Sequence, residues 1–197
     1  MKPQSFIFIG RSGSGKGTQA ALLMDALKKI DPKRDSIYIQ TGDELRKFIK
    51  GESYAERATK DLYDAGGLMP EFIMVYQWVR VLIDKYTGTE HFVLDGTPRK
   101  PIEAAMLDSV FTFFKREKPW VINIEVKPDA SLKRLLVRKR FDDVEEEIRR
   151  RLAWYETDVA PTVDYYRNNP NYNFLTIDGE RSVEAIHADI VKKLGLE

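Results

Sequence analysis

The stretch Ser5-Phe-Ile-Phe-Ile-Gly10-Arg-Ser-Gly-Ser-Gly15-Lys16-Gly17-Thr18 decides the fold. Four large apolar residues in a row, Phe6 to Ile9, read as a strand buried on both faces, since a half-exposed strand would alternate apolar with polar. The loop after them matches G-x-x-x-x-G-K, and Gln19 to Ile30 then takes up helical apolar spacing. In that context the glycines let successive N–H groups point into one concavity. The following helix N-terminus adds partial positive charge, and Lys16 reaches toward the outer phosphates of a nucleotide. Gly10, Ser12, Gly13, Ser14, Gly15, Lys16, Gly17 and Thr18 are therefore assigned to phosphate binding.

Working outward, four more short apolar runs read as parallel strands: Ile37 to Ile39, Phe92 to Leu94, Val121 to Val126 and Phe174 to Ile177. Helical patterns such as Glu103 to Arg116 and Val183 to Leu194 separate them. Strand and helix in alternation predict an α/β fold, a three-layer α/β/α P-loop domain around a five-stranded parallel sheet. Two intervals exceed a simple crossover: residues 41 to 90, which read as wholly helical, and residues 138 to 168, a charged helical stretch. Each is a candidate insertion that covers a substrate. In the run Glu145 to Arg151, charges four residues apart pair along one helix face, and Lys139, Arg149 and Arg150 read as solvated charges.

The 197 residues are 43% hydrophobic and 11% aromatic, enough for one well-packed domain. Charged residues make up 32%, yet 32 Lys and Arg nearly cancel 31 Asp and Glu, so no global field favours nucleic acid or an anionic membrane. Anion binding must be local. The chain has no cysteine and only two histidines, His91 and His187, which excludes disulfides and a Cys/His zinc site and suits a reducing cytoplasm. No signal-peptide pattern precedes Phe6, so a soluble, unprocessed protein is expected.

One feature of the loop departs from the general motif. The residue after the lysine is normally Ser or Thr, whose hydroxyl ligates Mg²⁺, whereas Gly17 stands there and Thr18 comes one later. The metal would then be held by phosphate oxygens and water, with help from a carboxylate at a neighbouring strand end. Asp95, closing Phe92-Val-Leu-Asp95, suits that water-mediated role.

Gly15-Lys-Gly-Thr-Gln19 resembles the adenylate kinase family rather than P-loop proteins in general. Thr41-Gly-Asp-Glu-Leu-Arg46, Gly67-Leu-Met-Pro70 and Asp95-Gly-Thr-Pro-Arg99 resemble further landmarks of that family, in its order, as do Arg134-Leu-Leu-Val-Arg138 and Arg140-Phe-Asp-Asp143. The resemblance implies a single kinase domain over 1–197. Its core would be 1–40, 91–137 and 144–197, with a helical monophosphate-binding insertion at 41–90 and a minimal lid at 138–143. It implies a reversible, Mg²⁺-dependent transfer from ATP to AMP giving two ADP, by a cytoplasmic monomer. It further implies that Thr41, Gly42, Leu45, Arg46, Leu68, Met69, Gly96, Arg99 and Glu103 surround the monophosphate. Arg134 would stack on the ATP base and Arg138 would join the ATP site, while Arg140 and Arg151 approach the acceptor. Lys16, Arg99, Arg138, Arg140 and Arg151 would be the catalytic charges. The chemistry agrees independently, because a phosphate dianion is best held by planar, permanently charged, bidentate donors, and phosphoryl transfer needs positioning and charge neutralisation rather than a covalent residue.

Two departures from the family matter. Only Lys139 separates Arg138 from Arg140, where family members carry several more residues, so the lid is clipped and faster opening or looser ATP binding is expected. Glu103 stands where Gln often reads the adenine edge, and Thr97 where Phe is usual. Ionised Glu103 can only accept hydrogen bonds, which suits guanine; protonated Glu103 would mimic Gln. AMP leads as acceptor, with GMP, CMP or UMP as the alternative and a nucleotide-binding module without turnover as a third reading.

Overall fold

The computed structural model describes residues 1–138 and 144–196. Five strands, β1 (Ser5–Ile9), β2 (Ser36–Gln40), β3 (His91–Asp95), β4 (Trp120–Glu125) and β5 (Asn173–Asp178), form one sheet in the order β2-β3-β1-β4-β5. All neighbours are parallel, with Phe8 opposite Asp95 and Ile9 opposite Asn123. β1 is central and buried throughout, as its unbroken apolar run requires.

The twofold period of the strands divides the core into two layers. Ile7, Ile9, Ile37, Ile39, Phe92, Leu94 and Val121 face one way, packing with Trp78, Leu107 and Tyr166. Phe6, Phe8, Val93, Ile122, Ile124 and Ile177 face the other, against Leu23, Leu27, Ile186 and Ile190. The first layer is covered by α4 (Glu71–Lys85), α5 (Pro101–Phe113) and α8 (Ala160–Arg167), and the second by α1 (Lys16–Ile30) and α9 (Val183–Leu194). This is the expected three-layer fold.

Element bounds shift by a few residues from the sequence reading. The glycine-rich loop hands over to α1 at Lys16 rather than Gln19. α5 begins two residues early because Pro101 suits a first helical turn, and it ends at Phe113 rather than Arg116. Residues 41 to 90 fold as three helices that end in β3: α2 (Thr41–Phe48), α3 (Tyr54–Asp64) and α4. Ser53 and Glu56 close a reciprocal capping box at the start of α3. α6 (Pro128–Arg138) follows β4. α7 (Glu145–Trp154) runs into a π-helical turn, Tyr155–Val159, and then α8.

Candidate active site

β1 turns outward at its carboxyl end between β3 and β4, where successive crossovers depart in opposite directions and leave a crevice. A cavity of about 1210 Å³ opens there, more than the roughly 300–1,000 Å³ of a single-ligand pocket. The phosphate loop, α2, the turn before α4, the segment after β3, α6 and α7 all contribute to its wall.

On the donor side the loop residues Gly10, Ser12, Gly13, Ser14, Gly15, Lys16, Gly17 and Thr18 all line the cavity. Gly10 has φ +141°, and a Cβ there would fall 2.4 Å from the Ile124 carbonyl oxygen, so only glycine lets the chain leave β1 this close to β4. Lys16 Nζ donates to the carbonyls of Gly10 (2.9 Å) and Arg11 (2.7 Å), curling over its own loop. Burial pushes its ammonium down to about 8; Asp95 opposes this, while Arg99 and Arg138 add to it. Arg134 and Arg138 reach the same wall from α6. Arg134 Nη2 donates to Gly179 O at 2.8 Å, which ties α6 to the loop after β5.

Opposite lie Gly42, Leu45 and Arg46 of α2, Leu68 and Met69 of the turn, Gly96 and Arg99 after β3, Glu103 of α5 and Arg151 of α7. Arg46 folds back over Gly42 and pairs with Asp43. Arg99 Nε donates to Gly96 O (3.2 Å), and its backbone N–H donates to Glu103 Oε2 (3.1 Å). The charges of Arg151 and Arg46 both act on Arg99, so three guanidinium groups converge on one region. Glu103 is buried, which raises its carboxyl pKa; the Arg99 N–H and side chain oppose that rise.

Of the residues singled out from sequence, Thr41 is not on the wall. It is fully buried beneath the site, with Oγ1 unpartnered among the described residues, because as first residue of α2 its side chain turns inward while Gly42, Leu45 and Arg46 take the cavity face. Arg140 lies outside the described residues, as does all but the first residue of the expected lid, 138–143. His91 and His187 are absent from the wall.

The family model described as adenylate kinase matches residues 8–171. An adenylate kinase 1 of Nostoc sp. is 35% identical over 189 residues, 96% of this chain and 97% of that protein. An adenylate kinase of Corynebacterium urealyticum is 36% identical over 180 residues, 91% and 93% of the two chains. The chain belongs to the adenylate kinase family. Among adenylate kinase features, the loop with Gly17 after its lysine and the arginines at 46, 99, 134, 138 and 151 share one cavity here.

Three residues of this adenylate kinase fold were missed or misread in the sequence. Arg150, read as a solvated charge, instead donates to Gly66 O at 2.8 Å and pairs with Glu147. It joins α7 to the turn after α3, and Gly66, at φ +67°, leaves no room for a Cβ beside the guanidinium. Arg11, inside the phosphate loop, stacks on the Tyr155 ring at 3.9 Å and pairs with Glu156 at 2.7 Å, fastening the loop to the π-helical turn. Tyr38 of β2 donates its hydroxyl to Asp95 Oδ2 at 3.0 Å.

Among the described residues no group of three or more His, Cys, Asp or Glu could hold a metal ion. Asp95 is a single carboxylate, 5% exposed, at the carboxyl end of β3 and electrostatically coupled to Lys16. That donor set fits a cation brought in on nucleotide phosphates and steadied by one carboxylate through water. Among the same residues no helix is long and apolar enough to cross a membrane.

Proposed function

We propose that the protein is an adenylate kinase that transfers the γ-phosphoryl group of Mg²⁺-ATP to AMP, reversibly, giving two ADP. The observation that carries this reading is that Lys16 and the arginines at 46, 99 and 151 line the same cavity. One phosphate chain can therefore meet another without either leaving the protein.

In this reading the loop amides and Lys16 hold the β- and γ-phosphates. Arg46 exchanges Asp43 for the acceptor phosphate, and Arg99 grips the same phosphate. Arg138 and Arg151, joined by Arg140, neutralise charge on the transferring oxygens as it spreads in the transition state. Mg²⁺ supplies further neutralisation of the phosphate oxygens when bound with ATP, and Asp95 is the residue that would steady it. The core, the 41–90 insertion and the clipped 138–143 lid act as separate parts, and closure of the last two excludes water. A monomer in a reducing cytoplasm suits a cysteine-free chain.

The acceptor base is read as adenine. Oε2 of Glu103 already accepts the Arg99 N–H, which leaves Oε1 to meet a base, and burial favours the protonated carboxyl. Such a group donates to adenine N1 as Gln would. A coupled assay with Mg²⁺-ATP and each of AMP, GMP, CMP and UMP tests this. AMP is expected to give the highest kcat/KM; a preference for GMP would assign Glu103 an ionised, guanine-reading role, and no turnover at all would defeat the enzymatic reading.

A further inference from the structure

The period of β2 puts Tyr38 and Gln40 on one face of the strand, and in β3 Asp95 shares the face of Val93. α1 covers that face, and its first turn carries Gly17. A Cβ built on Gly17 would fall 3.1 Å from Asp95 Oδ2 and 3.8 Å from both the Tyr38 hydroxyl and Gln40 Nε2. The spot where other phosphate loops carry a metal-ligating hydroxyl is thus already crowded by a carboxylate, with a phenol directed at it from a strand two positions away in the sheet.

We propose that Tyr38 is a positioning residue for the metal-facing carboxylate: with Gly17 making room, its hydroxyl holds Asp95 Oδ2 over the start of α1, in the place of the missing loop hydroxyl. This rests on the reading of the cavity as a Mg²⁺-ATP site and goes beyond it by naming what orients its carboxylate.

Four observations support the assignment. Tyr38 is the only side chain donating a hydrogen bond to Asp95 among the described residues. Lys16, the cation that most stabilises the ionised Asp95 carboxylate, is occupied with the Gly10 and Arg11 carbonyls. Without the phenol, the carboxylate is free to rotate toward that ammonium and away from the phosphates. With one carboxylate rather than a cage, the orientation of that group decides how well metal-bound water is held. Tyr38 lines the cavity beside Asp95, so the pair is accessible to the phosphates it would serve.

The test compares wild type, Tyr38→Phe, Asp95→Asn and the double variant, each first shown to fold by circular dichroism. Two quantities are read: the half-saturating Mg²⁺ concentration for turnover with AMP, and, by calorimetry, the Mg²⁺-dependent gain in affinity for a non-hydrolysable ATP analogue. Tyr38→Phe is expected to raise the half-saturating Mg²⁺ about 5- to 10-fold, a hydrogen bond to a charged group being the loss. The metal-free affinity for the analogue should stay unchanged, and kcat at saturating Mg²⁺ should stay within about 3-fold of wild type. In the Asp95→Asn background Tyr38→Phe should add nothing, since it acts through the carboxylate.

A Tyr38→Phe protein with unchanged Mg²⁺ dependence, or with effects that multiply those of Asp95→Asn, would overturn the proposal. If wild type itself gains no analogue affinity from Mg²⁺, it is the Mg²⁺-ATP reading of the cavity that fails.

Discussion

Lys16 is poised to lose its proton within the physiological range, and that makes nucleotide binding pH-dependent. Burial brings its pKa to about 8 in the unliganded protein. Bound triphosphate would raise it again by placing negative charge against the ammonium. If only the charged form binds tightly, the competent fraction is about three-quarters at pH 7.5 and about one-tenth at pH 9. The apparent ATP affinity then falls about eightfold, or ~1.2 kcal/mol. At pH 8 binding should take up about half a proton. Calorimetric titration of Mg²⁺-ATP in two buffers of different ionisation enthalpy measures both quantities, and Lys16→Met should give a uniformly weak, pH-flat profile. A wild-type affinity constant from pH 7.5 to 9, with no buffer-dependent heat at pH 8, would refute the coupling.

Glu103→Gln should raise the melting temperature at pH 7, read by thermal denaturation. A carboxyl whose folded pKa is raised loses stability as pH rises through that pKa, and the amide removes the penalty; AMP should remain the preferred acceptor in the same coupled assay. Acid should weaken the fold through His91, which is buried near Asp31, Arg34 and Arg116 and held down to about 4 by burial first. Because the folded pKa lies below the unfolded one, its contribution is complete above about pH 6.5 and shrinks by about 1–2 kcal/mol by pH 5, measurable in urea melts. Arg150→Ala breaks the tie from α7 to Gly66 and should raise the KM for AMP roughly fivefold with little change in kcat, as expected for ~1 kcal/mol of lost preorganisation of the acceptor side.

How much of this was legible in the sequence follows from how local each signal is. The strands could be read from their apolar runs: β1 and β3 are buried at every position, and polar residues stand only at their ends, Ser5, His91 and Asp95. The phosphate loop could be read because its geometry is set by closely spaced glycines, Gly10, Gly13, Gly15 and Gly17, within one short segment. Element ends were less legible: Lys16 and Gly17 already belong to α1 although glycine is a poor helix former, because the motif rather than propensity places that helix start.

What local patterns could not show are contacts made between distant segments. Arg150 sits in a run of three arginines, and nothing in the run distinguishes the one that meets Gly66, 84 residues away, from Arg149, which pairs with Glu145 one turn back. Tyr38 looks like an ordinary β-strand residue until β3 delivers Asp95 to its hydroxyl. Yet the clue to it was present as an absence. A loop that lacks its hydroxyl at position 17 can obtain the corresponding orientation from elsewhere, and the parallel order β2-β3-β1 brings side chains on the α1 face of β2 and β3 to that point: the three atoms nearest a Gly17 Cβ belong to Asp95, Gln40 and Tyr38. Of those in β2, Tyr38 and Gln40 carry polar ends near Gly17, and only the phenol bonds to Asp95. The missing loop hydroxyl and the strand tyrosine are thus two sides of one arrangement, linked through a carboxylate that neither could orient from sequence position alone.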